Sequence, residues 1–118
     1  MIVWSGNYGP SGTNYAPTAT GGVYDPSLDT WTKMSMVNAP EPRTNAVSVW
    51  TGTQMIVYGG VDGNGNPPLN TGAVYDPAKD NWTAISPPPS GFGLGCTVVW
   101  TGAGMLVYGA GEGAVYYP

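Results

Sequence analysis

Apolar residues fall in short runs, and turn-forming residues separate them. Val47-Ser48-Val49-Trp50, Met55-Ile56-Val57-Tyr58 and Thr97-Val98-Val99-Trp100 are typical, each bounded by Gly, Pro, Asn or Asp. Such runs are too short for helices and rich in β-branched and aromatic residues, which suit a pleated surface. No eleven-residue window keeps an apolar spacing of three to four without a Gly or Pro break, so α-helix is expected to be essentially absent. The pattern predicts strands near 46–51, 54–59, 72–76 and 82–86, with hairpins at Thr51-Gly52-Thr53-Gln54 and Thr101-Gly102-Ala103-Gly104.

These strands are apolar at nearly every position, where a sheet with one wet face would alternate. Both faces must therefore be covered, and with no helices available the cover has to be other sheets. The chain also repeats itself. A shift of fifty residues lays Val47–Gly52 on Thr97–Gly102 and Met55–Gly59 on Met105–Gly109, while Met1-Ile2-Val3-Trp4 supplies a further copy. Gly21–Pro26 reads GGVYDP, Gly72–Pro77 reads GAVYDP and Gly113–Pro118 reads GAVYYP. Asp29-Thr30-Trp31-Thr32 is matched by Asp80-Asn81-Trp82-Thr83. A period near fifty with four short strands per unit indicates sheets stacked side by side in a repeat architecture.

Met55-Ile56-Val57-Tyr58-Gly59-Gly60, Thr71–Pro77 and Asn81-Trp82-Thr83 together resemble the kelch repeat, in the variant similar to repeats of large bacterial proteins. The resemblance covers essentially the whole chain. It implies an all-β fold: a partial kelch-type β-propeller of stacked antiparallel four-stranded blades. The blades expected are a partial first over 1–40 (strands 2–4), a complete one over 41–90, and a partial third over 91–118 (strands 1–3). It further implies that Gly59 and Gly60 lie where the second strand leaves the sheet, that Arg43 precedes the first strand, and that Tyr75 and Trp82 pack between blades. Tyr24 and Trp31 hold the matching positions in the first unit. The units also differ: the glycine pair is Ser5-Gly6 in the first and Gly109-Ala110 in the third, Gly93 stands for Arg43, and Tyr117 stands for Asp76. About two and a half blades leave faces that call for cover, by the remaining blades of a longer parent chain or by self-association.

Composition narrows the function. Three basic residues against seven acidic ones, a net charge of -4, cannot neutralise a run of phosphates, so neither nucleic acid nor an anionic membrane is expected as partner. Low charge with abundant Thr, Asn, Gly and Trp leans toward an exported or cell-surface parent. The chain has no His, which removes the commonest general base and transition-metal ligand. The kelch-type copper oxidases need His and a Cys-linked Tyr, so that activity does not carry over. Cys96, the one cysteine, precedes an apolar strand and reads as a buried structural thiol. Asp25 and Asp76, each before Pro, and Asp29 and Asp80, each two residues before Trp, read as turn residues. Asp62-Gly63-Asn64-Gly65-Asn66 starts like a calcium loop but lacks the sixth-position Gly and twelfth-position Glu. No catalytic residue, metal or cofactor is expected.

The connection between the second and third strands varies most. It runs twenty residues from Trp4 to Tyr24, seventeen from Tyr58 to Tyr75 and eight from Tyr108 to Tyr116. Insertions on a repeat scaffold map to loops, often on a binding face. Tyr8, Asn14 and Tyr15 in the first such loop, with Asp62, Asn64 and Asn66 in the second, are the candidate recognition residues. The expected function is noncatalytic binding or structural display, with protein or carbohydrate as ligand. The alternative is a segment of a larger propeller enzyme whose catalytic residues lie outside this chain.

Overall fold

A computed structural model of the chain describes residues 1–8, 16–64, 66–88, 92, 94–109 and 111–118. Among the described residues there are ten strands: β1 (Ile2–Tyr8), β2 (Ala16–Asp25), β3 (Thr30–Lys33), β4 (Val47–Trp50), β5 (Met55–Tyr58), β6 (Gly72–Asp76), β7 (Asn81–Ile85), β8 (Thr97–Trp100), β9 (Met105–Gly109) and β10 (Glu112–Tyr116). They form three antiparallel sheets, ordered β1-β2-β3, β4-β5-β6-β7 and β10-β9-β8. Only the middle sheet has four strands. Both predicted hairpins form: Gly52 and Gly102 take φ of 107° and 96°, and Thr51 Oγ1 and Thr101 Oγ1 accept the backbone N–H groups of Gln54 and Gly104 at 3.0 and 3.1 Å.

The continuous apolar runs are explained by two cores, one on each side of the middle sheet. Alternate residues of β5 divide between them. Met55 and Val57 join Ala73, Tyr75, Trp82 and Met34 against the first sheet. Ile56 and Tyr58 join Val74, Ile85, Cys96 and Met105 against the third. All four β5 residues are therefore buried, where a one-faced strand would bury two.

Trp82 joins the first sheet to the middle one. It is 2% exposed, its ring lies 5.3 Å from that of Trp4 and 5.0 Å from that of Tyr75, and its Nε1 donates to Ser35 O at 3.0 Å. Asp80, in a left-handed turn with φ 47°, completes the joint: its carboxylate accepts the Ser35 N–H at 2.8 Å and the Tyr75 hydroxyl at 2.7 Å. The sequence reading of Asp80 as a local turn residue is thus extended, because its partner Ser35 lies in the segment that follows β3 of the neighbouring sheet. Trp31, expected to pack between blades like Trp82, is instead 56% exposed. It leans on Tyr24, ring centres 5.2 Å apart, and its outer face has no sheet against it among the described residues. The same local sequence gives a buried or an open ring according to whether a neighbour stands opposite.

Arg43 organises the loop after β5. Its side chain is fully buried, which for a guanidinium requires an acceptor for each of five N–H groups. Nε donates to Glu41 O at 3.1 Å, one terminal nitrogen to Gly59 O and Thr71 O at 2.9 and 2.8 Å, and the other to Glu41 Oε1 and Thr71 Oγ1 at 3.1 and 3.0 Å. Gly59 directly follows β5 and Thr71 directly precedes β6, so one side chain ties both ends of the connection. The glycine pair makes room for this, with φ of 70° and 91°; a Cβ on Gly60 would stand 2.4 Å from Thr44 O. Ser5, in the matching place of the first sheet, adopts φ 64°, and its one hydroxyl proton is shared between two carbonyls within reach, Thr18 O at 2.8 Å and Arg43 O at 2.5 Å. Those bonds offset the strain that glycine would avoid.

Two stability predictions follow from these contacts. Trp82→Ala should cost about 3–5 kcal/mol, whereas Trp31→Ala should stay within about 0.5 kcal/mol, both read from urea unfolding midpoints. Arg43→Ala should cost about 3–5 kcal/mol because it strands buried carbonyls, and Arg43→Lys should not restore the loss, since an ammonium lacks the planar fork. A wild-type midpoint for Arg43→Lys would show that the planar fork is not what holds the two ends of the loop.

Candidate functional site

The loop that Arg43 closes carries three of the candidate residues, and an Asx turn shapes it. The Asp62 carboxylate accepts the Asn64 N–H at 2.9 Å and the side-chain amides of Asn64 and Asn66 at 3.2 and 2.6 Å. These bonds, the Asn64 backbone N–H foremost, hold Asp62 below the usual carboxylate range, so it is ionised at neutral pH. The three side chains form one polar knot. At the base, Thr44 and Val61 exchange backbone hydrogen bonds at 2.8 and 2.9 Å, and Leu69 N–H donates to Gly60 O at 2.8 Å. The loop is therefore anchored at both ends and open at its polar tip.

The first variable loop leaves the hairpin of β1 and β2, where Tyr8 pairs with Ala16 and is 77% exposed. Asn14 and Tyr15 lie outside the described residues. The two loops meet at their flanks: Gly63, φ 78°, is so close to the Pro17 ring that a Cβ on it would stand 3.0 Å from Pro17 Cδ. Tyr8 itself makes no hydrogen bond to the Asp62 knot. Beside the loops, between β1 and β4, runs a groove of about 440 Å³ whose polar lining includes Ser5, Asn7, Thr44 and Asn45. Sequence reasoning missed this groove and the interior role of Arg43. The signal available was the isolation of Arg43, one of only three basic residues, beside Pro42 ahead of an apolar strand.

The remaining ionisable groups are mostly committed to structure. Asp25 accepts from Ser27, and Asp76 from Ala78 and Lys79, as local turns require. Asp80 is held low in pKa by the Ser35 N–H first and the Tyr75 hydroxyl second. Tyr75 in turn is pushed upward, by burial first and by its bond to Asp80 second. Cys96 is buried, and desolvation raises its pKa, which disfavours the thiolate. Among the described residues no three His, Cys, Asp or Glu side chains gather as a metal site would need.

Comparison with known proteins agrees with this arrangement. Residues 42–89, spanning Arg43, the whole middle sheet and its loop, match the Kelch motif. The Kelch repeat and BTB domain-containing protein 1 of Cowpox virus (strain Brighton Red) is 35% identical over 82 residues, a stretch covering 70% of this chain and 14% of that protein. The chain thus spans a small part of that relative's length. The solved structure of YjhT superposes with a TM-score of 0.71 at 18% identity, over 90% of this chain and 40% of its own, which speaks to fold alone. Three stacked antiparallel sheets, the glycine-paired strand end and the matched motif identify the chain as a partial kelch-type, propeller-like β-sheet domain.

Proposed function

We propose that this domain is a noncatalytic recognition module, part of a propeller whose regular unit is the four-stranded middle sheet, and that it binds protein or carbohydrate through the two variable loops. The observation carrying this reading is the contact of Gly63 with Pro17, which sets the Asp62–Asn64–Asn66 knot beside the hairpin that presents Tyr8. Amide and carboxylate groups beside an open phenol ring suit sugar hydroxyls or peptide backbone, with the ring supplying contact area. Binding without turnover is favoured because Asp25, Asp62, Asp76 and Asp80 are each engaged in a defined turn or latch.

The sheet faces support a second part of the proposal, that further sheets cover them, either from a longer parent chain or from another copy. Val3 and Trp31 on the first sheet, with Leu106, Tyr108 and Val115 on the third, are large apolar side chains between 37% and 59% exposed. Each repeats a middle-sheet position that is buried: Val57, Trp82, Ile56, Tyr58 and Val74. Exposed apolar patches of this kind mark association surfaces.

Glycan and peptide arrays probed with the chain should yield ligands whose affinity drops about tenfold or more in Tyr8→Ala and Asp62→Ala, with no product formed on prolonged incubation. Reproducible turnover, or ligands indifferent to both substitutions, would refute the module. In sedimentation velocity the 118-residue chain should gain mass with concentration; a concentration-independent monomer would argue against face-to-face cover by another copy.

A further inference from the structure

The Asp62 knot carries an excess of hydrogen-bond acceptors and a negative charge that nothing else in the chain matches. Asn64 and Asn66 each turn the amide nitrogen toward Asp62 Oδ2, at 3.2 and 2.6 Å, so each amide oxygen faces away from the carboxylate. Each amide keeps one N–H, against two lone pairs on each outward oxygen and the carboxylate's own unused capacity. Asp62 is ionised at neutral pH. The chain has three basic side chains, and none reaches it. Arg43 is buried with its donors taken by Glu41, Gly59 and Thr71. Lys79 pairs with Asp76 at 3.0 Å in the turn between β6 and β7, at the opposite end of β6 from the loop. Lys33 stands opposite Gly22, well down β2 from Pro17. Across the contact of Gly63 with Pro17, Tyr8 pairs with Ala16, the residue before Pro17, and presents an open phenol ring.

We propose that the partner of the loop surface is a peptide segment carrying arginine, with its guanidinium seated on the Asp62–Asn64–Asn66 knot and the flanking residues laid against the Tyr8 ring. This assignment rests on reading the two variable loops as the binding surface, and it narrows the ligand from protein or carbohydrate to a cationic peptide. A guanidinium has five donors and no acceptor, so it complements a patch whose own donors are turned inward. Its planar fork can meet the carboxylate and an amide oxygen together, with the added strength of a charge-assisted bond. An ammonium carries the same charge, but it is more strongly hydrated and lacks the fork. A sugar hydroxyl is neutral and leaves the Asp62 charge unmatched, while an acidic ligand is repelled by it. The open phenol ring adds a face that attracts cations.

The test selects a randomised peptide library on the immobilised 118-residue chain, then resynthesises the recovered peptides with citrulline, a neutral isostere, in place of arginine. The recovered peptides should be enriched in arginine, and citrulline should weaken binding about tenfold or more. Asp62→Asn, which keeps an acceptor but drops the charge, should cause a loss of similar size, and affinity should fall as sodium chloride is raised from about 0.05 to about 0.5 M. The citrulline comparison uses the unaltered chain, so it decides the matter even where Asp62→Asn does not fold. Peptides without arginine enrichment, equal binding of the citrulline forms, or arginine peptides indifferent to Asp62→Asn in a folded chain would each overturn the assignment. Capture of glycans instead of peptides, lost in Tyr8→Ala, would overturn it while leaving the loops as the binding surface. Ligands of either class indifferent to both Tyr8→Ala and Asp62→Ala, or capture of neither class, would bring down both readings.

Discussion

A guanidinium removed from water has to find an acceptor for every N–H, and in this domain that requirement falls on Arg43. Five donors leave in fixed directions from one plane, so Glu41, Gly59 and Thr71 can satisfy them in one mutual placement. Three separate stretches of backbone are thereby located by a single side chain: the approach to β4, the end of β5 and the start of β6. Burial pulls the Arg43 pKa down and the Glu41 charge pulls it back, yet an arginine remains protonated throughout the accessible range. The clamp therefore has no off state, which suits a scaffold element. Its reach extends to the first sheet, because the Ser5 hydroxyl bonds the Arg43 carbonyl.

Sheet stacking obeys a different logic. Hydrophobic contact between the first and middle sheets is nondirectional and would tolerate sliding. The polar groups at the joint remove that freedom: Ser35 gives its N–H to Asp80 and takes the indole proton of Trp82, so two bonds to one residue fix the lateral position. The ring supplies area and its nitrogen supplies register, which is why a tryptophan fits this place better than a phenylalanine of similar burial.

Much of the fold could be read directly. Strand positions followed from β-branched runs punctuated by Gly and Pro, and sheet stacking followed from β5, where consecutive residues are all apolar. The kelch resemblance rested on phrases that recur almost verbatim. Other features left no local trace. The acceptors of Arg43 are mainly carbonyl oxygens, which every residue possesses, so side-chain identity does not reveal them. Trp31 and Trp82 share the Asp-x-Trp-Thr phrase yet differ in exposure because burial depends on what stands opposite. Asp80 was legible as a turn residue, but its bond to Ser35 crosses forty-five positions. The Asp62 knot illustrates the same division: its composition announced a polar loop, while its nearness to Pro17 came from the sheets beneath.

The clamp on the β5–β6 connection separates two properties that usually constrain each other. With Gly59 and Thr71 held by Arg43, and Thr44 paired to Val61, the chain between is a closed loop whose ends are already set. Lengthening such a loop costs only its closure entropy, about 0.6 kcal/mol for each doubling. The segment behaves as an interchangeable cassette: its sequence and size can drift while the sheets below keep their geometry.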